Sequence, residues 1–161
     1  MPEIALFEPD IPQNVGAIIR LSTCLNVKLH IIEPTSFILN NKKIRRAGMD
    51  YIQNSEYITH KSWNHFVEYL DNRKREINIR LLVFTTKATE SFMNYNYQDN
   101  DILLFGRESS GVTEYVREYA TKLLKIPISK QTRSLNVASS VAMALTESLR
   151  QTNKFVNITN E

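Results

Sequence analysis

The stretch of sequence that decides the fold is residues 101–119, DILLFGRESSGVTEYVREY, where an apolar run passes through a loop into a helical pattern. Residues 101–105 indicate a buried strand, and the loop after it holds Gly106 and Gly111, two of the four glycines in the chain. Glycine lacks Cβ and accepts positive φ, so the backbone there can approach a ligand closely. Because open α/β sheets bind ligands at the carboxyl ends of their strands, this loop is a candidate binding site. An ordinary strand-to-helix turn is the alternative.

Several familiar motifs are missing from the sequence. A phosphate-binding P-loop places lysine directly after its second glycine, whereas Val112 stands there, and no G-x-G-x-x-G occurs, so we expect no bound triphosphate. His30, His60 and His65 have no glutamate or cysteine at metal-ligand spacing, and a single cysteine, Cys24, excludes an internal disulfide. Neither G-x-S-x-G nor H-E-x-x-H is present. We therefore predict no metal site, and hydrolase chemistry has little support.

Apolar runs alternate with helical periodicity along the chain, which predicts a parallel sheet covered by helices on both faces. The predicted strands are residues 4–7, 27–32, 79–85, 101–105 and 123–128. The predicted helices are residues 14–25, residues 136–151, a run after Gly111, and a helix capped by Ser62 with apolar residues at 63, 66, 67 and 70.

Composition limits the class of protein. A chain of 161 residues suits one domain, and 42% hydrophobic with 23% charged residues is ordinary for a globular protein. The apolar runs are too short to span a bilayer, and the amino terminus lacks the pattern of a signal peptide, so we expect a cytoplasmic protein. A net charge of +3 permits a nucleic-acid partner without establishing one.

Two further segments have the character of ligand loops. PQNVGAIIR, residues 12–20, follows the first strand and carries Asn14, Gly16 and Arg20. Asn14 and Arg20 are separated by about 600° of helical rotation, so they cannot share a helix face, and we place Asn14 in the cap or loop. Without other information, Asn14 is equally a plain N-cap and Arg20 a solvated arginine. The second segment, residues 126–147, passes from a proline through a polar loop into a helix rich in Ala and Ser.

The three segments together resemble the three sequence motifs of the SPOUT superfamily of S-adenosylmethionine-dependent RNA methyltransferases. The resemblance covers almost the whole chain. LFEPDIPQNVGAIIR, LHIIEP, KKIRRAGMDY and TTKA are similar to the small single-domain branch called TrmL or YibK-like, which methylates the ribose of the tRNA wobble nucleotide. The resemblance implies a methyltransferase domain over residues 1–154, a frayed polar tail over residues 155–161, and no separate RNA-binding domain.

The resemblance also implies a parallel-sheet α/β fold whose carboxyl-terminal part forms a deep trefoil knot. S-adenosyl-L-methionine, a sulfonium cation without phosphates, would lie among three loops of the knot, held largely by backbone. The cofactor-binding residues that the resemblance implies are Phe84, Thr85, Gly106, Gly111, Ile126, Ile128, Ser134 and Leu135.

The catalytic residues implied by the resemblance are Arg20, Asn14, Glu108 and Asn136. Arginine is effectively always protonated, so we assign Arg20 to stabilising the alkoxide that develops on the 2′-oxygen rather than to acting as a simple base. The other three would support the loops, the ribose or Arg20. An alternative for Glu108 is to cap the helix after Gly111 by facing its positive end.

Family members are homodimers in which helices near Arg20 and at the carboxyl terminus form the interface, and each site uses both subunits. The RNA surface predicted from local charge is the segment NNKKIRRAG, with a solvated helix face as the alternative. The RNA-binding residues we assign are Lys42, Lys43, Arg45, Arg46 and Arg107; if the cluster at 42–46 does not contact RNA, Arg107 and the loop after Ile128 are the next candidates.

These observations predict a tRNA 2′-O-methyltransferase acting on the wobble cytidine or uridine. The glycine loop departs from the PETRG-like loop of that branch, because RESSG stands in its place. This difference leaves open methylation of another tRNA nucleotide or of ribosomal RNA. A non-catalytic RNA-binding or assembly factor with the same fold is the alternative from a different class.

Overall fold

A parallel sheet of six strands forms the centre of the protein in the computed structural model, which describes residues 1–39 and 57–155. The strands are β1 (Glu3–Phe7), β2 (Leu29–Ile32), β3 (Tyr57–His60), β4 (Arg80–Phe84), β5 (Asp101–Phe105) and β6 (Lys122–Leu124). The helices are α1 (Pro12–Cys24), α2 (Trp63–Lys74), α3 (Glu114–Tyr119) and α4 (Val137–Gln151), with a short 3₁₀ turn at Phe92–Asn94. The predicted single-domain, parallel-sheet α/β architecture is confirmed. The trefoil knot stays a prediction.

The strand order, β3-β2-β1-β5-β4-β6, places the middle of the sheet at the pair β1 and β5. The chain moves outward from β1 to β2 and β3, and then returns to build β4, β5 and β6 on the other side. Ligands bind outside the carboxyl ends of parallel strands where the strand order reverses in this way. The loops that follow β1 and β5 therefore meet at the expected position of a site.

Each face of the sheet packs against its own helices because successive side chains of a strand point in opposite directions. Ile4 and Leu6 of β1 are buried on one face with residues of α1 and α4. Ala5 and Phe7 of the same strand are buried on the other face with residues of α2 and α3. The site is thus built on a sheet that is covered on both sides.

The strand predictions were wrong in three places. Strand β3 was missed, because YITH is short and three of its residues are half-buried or exposed, which leaves only a weak periodic signal at this sheet edge. Strand β2 begins at Leu29 rather than at residue 27. Strand β6 ends at Leu124 rather than at residue 128, and Pro127, which has no N–H to donate, stands in the stretch that leaves the sheet.

The helices follow the prediction with one correction. α1 begins at Pro12, a residue suited to the first turn of a helix, so Asn14 lies within that turn and not in a preceding cap or loop. Ser62 caps α2 by accepting the His65 N–H at 3.2 Å, as predicted. Phe155 packs against the core, whereas we predicted that the frayed tail begins at this residue. None of the described helices is long and apolar enough to cross a membrane.

Two of the three histidines, His30 and His60, lie in a buried polar chain beneath α2. The Glu3 carboxylate accepts from His30 Nε2 at 2.8 Å and from both terminal nitrogens of Arg73 at 2.8 Å. His30 Nδ1 and His60 Nε2 share a hydrogen bond of 3.0 Å, and His60 Nδ1 is buried without a partner among the described residues. This chain links three neighbouring elements, β1, β2 and β3, to α2 and is an element of the fold.

Candidate active site

A cavity of about 530 Å³ opens at the carboxyl ends of β1, β4 and β5. Its walls come from the start of α1, the loop after β4, the loop after β5, and the chain between β6 and α4. All of the predicted cofactor-binding residues line it: Phe84, Thr85, Gly106, Gly111, Ile126, Ile128, Ser134 and Leu135. Three sequence segments that are far apart along the chain are therefore brought to one place.

The floor of the cavity is apolar. Phe84 and Phe105 end β4 and β5, and their rings stack with centroids 4.7 Å apart and an interplanar angle of 15°. Ile126 and Ile128 line the cavity from the chain that leaves β6. The described lining residues combine these apolar side chains with polar ones, of which Glu108 is the only carboxylate. This is the usual character of a small-molecule site.

The glycine loop folds back on itself at the edge of the cavity. Arg107 N–H donates to the Gly111 carbonyl at 3.2 Å, and Gly111 N–H donates to the Arg107 carbonyl at 2.8 Å. A Cβ on Gly106 would lie 2.3 Å from the Gly111 carbonyl carbon and 2.7 Å from the Val112 nitrogen. Gly111 has φ of +69° with open space around it. Gly106 is thus required by the close return of the backbone, and Gly111 by its conformation.

A chain of side-chain hydrogen bonds joins the three motifs. Glu108 Oε1 accepts from Asn14 Nδ2 at 2.7 Å, and Asn14 Oδ1 accepts from Asn136 Nδ2 at 2.8 Å. Asn136 is the N-cap of α4, and its Oδ1 accepts the Ser139 N–H at 3.2 Å. The interpretation of Glu108 as a cap for α3 is wrong, because its carboxylate bonds instead to residues at the start of α1. Asn14, Glu108 and Asn136 line the cavity together.

Asp10 is a site residue that the sequence analysis missed. Its carboxylate accepts the N–H of Glu108 at 3.0 Å and of Ser109 at 3.3 Å, and its own N–H donates to Glu108 Oε2 at 3.3 Å. Burial, and then the neighbouring Asp10 carboxyl, raise the pKa of Glu108. Although burial opposes it, hydrogen bonding from Glu108 and Ser109 lowers the pKa of Asp10. The sequence feature that could have indicated Asp10 is an acidic residue shortly after a buried strand, at the carboxyl ends of the strands where ligands bind.

Arg20 stands apart from the other predicted catalytic residues. It is exposed on α1 and is not among the residues that line the cavity, whereas Asn14 on the same helix is buried beside it. The separation agrees with the helical rotation between the two positions.

Of the residues assigned to RNA binding, the structure describes only Arg107. Arg107 lines the cavity, but its guanidinium pairs with Glu8, so part of its charge is used within the protein. The predicted cluster Lys42, Lys43, Arg45 and Arg46 lies outside the described residues. Within the described ranges there is no group of three or more metal-ligating side chains that could hold a metal ion.

The comparison with protein families identifies the class. Residues 1–146 match the model of the SpoU rRNA Methylase family, and the chain belongs to this family. It is 43% identical over 148 residues to a tRNA (cytidine(34)-2′-O)-methyltransferase of Beijerinckia indica, covering 92% of this chain and 90% of the relative. It is 41% identical over 152 residues to the protein of the same description from Ancylobacter novellus, covering 94% of each.

A solved structure agrees with these relatives. The chain superposes with a TM-score of 0.86 and 36% identity on a structure described as "Structural insights into the 2-OH methylation of C/U34 on tRNA". The match covers 94% of this chain and 95% of the other.

Proposed function

We propose that the protein is an S-adenosylmethionine-dependent tRNA ribose 2′-O-methyltransferase that acts on the wobble cytidine or uridine at position 34. The observation that carries the proposal is the convergence of three distant motifs on one cavity, joined by the bonds from Glu108 to Asn14 and from Asn14 to Asn136. The two relatives described above as tRNA (cytidine(34)-2′-O)-methyltransferases match over more than nine-tenths of this chain. A cytoplasmic location, where tRNA is present, belongs to the same proposal.

The cavity suits S-adenosyl-L-methionine. The stacked rings of Phe84 and Phe105 offer an apolar surface to a nucleoside-sized ligand, and Gly106 leaves backbone groups accessible beside it. No lysine follows Gly111, which agrees with a ligand that carries no phosphate. When bound, the cofactor supplies an electrophilic methyl group. The residues that would hold it are the eight predicted residues named above, which all line this cavity.

Arg20 is the proposed electrostatic catalyst. A ribose 2′-hydroxyl is a weak acid, so its reaction with a methyl donor requires stabilisation of the negative charge that develops on oxygen. A guanidinium is a permanent cation under physiological conditions, so Arg20 is suited to supply that stabilisation at the moment of transfer. Because Arg20 does not line the cavity of its own chain, we assign it to the cavity of a second subunit in a homodimer.

Exposed apolar side chains support a dimer that includes α4. Met143 on α4 is 44% exposed, and Leu135, which precedes the helix and lines the cavity, is 41% exposed. α1, which carries Arg20, packs against α4 within the chain. A second copy placed on these helices would cover the apolar residues and bring its Arg20 towards the cavity mouth.

The activity is tested by methyl transfer to total tRNA followed by mapping of the modified nucleoside. The proposal predicts 2′-O-methylcytidine or 2′-O-methyluridine at position 34. Methylation of a different tRNA nucleotide or of ribosomal RNA would replace the proposed substrate and keep the chemistry. RNA binding without any transfer would support the assembly-factor alternative.

The use of Arg20 across an interface has a separate test. Arg20→Ala should lower turnover by about 10²-fold or more while the affinity for S-adenosylhomocysteine barely changes. Mixing the inactive Arg20→Ala variant with an inactive Gly106→Val variant should restore activity, because one site of each mixed dimer then has both intact parts. If the mixture stays inactive although mixed dimers form, Arg20 acts within its own chain.

A further inference from the structure

The lysines and arginines of the protein fall into two groups by their use within the fold. Most of those described make an ion pair or hydrogen bond, such as Lys122 with Glu90 at 2.6 Å and Lys154 with Asp99 at 2.9 Å. A second set has side chains that make neither with another described residue: Lys61, Arg75, Lys87, Lys125, Lys130 and Arg133. Free cations are where a polyanion can bind without first breaking an ion pair.

The free cations concentrate at the cavity. Lys87 lines it directly, and Lys130 and Arg133 lie between Ile128 and Ser134, which both line it. Residues 119–146 contain no aspartate or glutamate, so this part of the chain has no acidic side chain of its own to neutralise these charges. The region around the cavity is therefore more positively charged than the net charge of +3 for the whole chain suggests.

Local structure presents these side chains to solvent. Thr132 N–H donates to the Ser129 carbonyl at 3.0 Å and its hydroxyl donates to the same carbonyl at 2.8 Å, which closes a turn. Lys130 lies within this turn and Arg133 directly follows it, and residues 129–136 are all exposed. Lys87 is exposed in the loop after β4. These three cations therefore stand around the entrance to the cavity.

We propose that Lys87, Lys130 and Arg133 form a phosphate-binding surface, here called the cavity-mouth surface, that holds the RNA backbone on either side of the methylated nucleotide. The inference rests on the proposed function and assigns to it a substrate surface. A nucleotide can reach the cavity only if the adjoining phosphates pass its rim, and the rim carries unpaired cations. Phosphate contacts of this kind fix the position of the strand without reading its sequence.

The chain offers a matched control. Lys61 and Arg75 are also free of partners among the described residues, but they flank α2, and Lys61 follows β3 at the opposite edge of the sheet from β6. The double variant Lys130→Ala/Arg133→Ala therefore loses the same two residue types as Lys61→Ala/Arg75→Ala. The two double variants have the same net charge. Any difference between them therefore reports the position of the lost cations and not the overall charge of the protein.

The experiment measures the affinity of the full-length protein for unmodified tRNA at several salt concentrations. Each phosphate contact contributes about 0.7–0.9 to the slope of log K against log salt, so the mouth double variant should lower that slope by between one and two. We expect its affinity for tRNA to fall about tenfold or more at low salt, and the control to stay within about twofold of wild type. Lys87→Ala alone should lower the slope by about one.

Affinity for S-adenosylhomocysteine and the thermal midpoint separate this effect from damage to the fold or the cavity, and both should match wild type. Equal losses in the two double variants, or an unchanged slope in the mouth variant, would overturn the proposal. If the mouth variant loses slope but the wild-type protein transfers no methyl group, the surface stands and the proposed function fails. If wild type methylates position 34 and the mouth variant binds tRNA normally, only the surface fails.

Discussion

Glu3 and Glu108 lie at opposite ends of two neighbouring parallel strands, Glu3 at the start of β1 and Glu108 after the end of β5, and their surroundings shift their pKa values in opposite directions. Although burial opposes it, hydrogen bonds from His30 and Arg73 lower the pKa of Glu3 to about 2. Burial and the adjoining Asp10 carboxyl raise the pKa of Glu108, whose side-chain partner Asn14 is neutral. Glu3, which links elements of the fold, is thus neutralised by a cationic partner. The glutamate at the cavity is left beside another acid, an arrangement typical of functional sites.

The largest effect that this comparison predicts is loss of stability in acid, in two stages. The pKa of His60 is lowered from 6.5 to about 4 by burial, and then by His30 and His65. The unfolded chain therefore takes up this proton first, so the contribution of His60 is complete above pH 6.5 and lost as the pH falls towards 4. The contribution of Glu3 is complete above pH 4.5 and lost between 4.5 and about 2. Each stage removes up to about 3 kcal/mol.

Urea unfolding across this pH range measures both stages. His60→Phe should lose the pH dependence between 6.5 and 4 while keeping the lower stage. If wild type loses stability in a single stage, and His60→Phe shows the same stage, the histidine chain is not the group that titrates.

The next effect is the loss of the Glu3 carboxylate itself. Glu3→Ala removes the acceptor of His30 and of both Arg73 bonds, and leaves a partly buried guanidinium without its counter-charge. We expect the free energy of unfolding to fall by about 2–3 kcal/mol, with cofactor affinity unchanged in the folded fraction. Denaturant unfolding and calorimetry measure the two quantities. Loss of cofactor affinity in a fully folded variant would show that the two ends of the central strands are not independent.

Glu108 gives the converse prediction. Glu108→Ala interrupts the bonds between the start of α1 and the glycine loop, so cofactor affinity should fall about ten- to a hundredfold, or about 1.4–2.7 kcal/mol. Glu108→Gln keeps an oxygen that can accept from Asn14, and it should retain most of that affinity. Stability should change less in both variants than in Glu3→Ala. If glutamine is as damaging as alanine, the charge of Glu108 matters and not only its hydrogen bonds.

The smallest effect belongs to Asp10, which reaches the cavity only through Glu108 and Ser109. Asp10→Asn removes the acid beside Glu108, so the pKa of Glu108 should fall and the acid limb of the activity profile should move to lower pH. We expect a two- to fivefold rise in KM for the cofactor, about 0.4–1 kcal/mol. Glu8→Gln, which breaks the Arg107 ion pair in the same loop, is the control and should leave the acid limb in place.

Much of the cavity could be predicted from sequence because its parts are local. The strand before Gly106 and the two glycines follow from a short pattern, and the motif resemblance added Asn136 and the cofactor-binding residues. All the predicted cofactor residues line the cavity for this reason. Asp10 was missed because its role depends on two amides almost a hundred positions away, and no local pattern marks that contact.

The sequence alone determined the fold class, the order of most elements and the residue types at the carboxyl ends of the strands. These features depend on periodicity, turn chemistry and the conformational needs of glycine. Only the tertiary structure decided the partners. It placed Asn14 inside the first turn of α1, joined it to Glu108 and Asn136, and left Arg20 away from the cavity. It also paired His30 with Glu3 and so gave this histidine a structural use. Partners are set by how the sheet brings distant segments together, and that is a property of the whole chain.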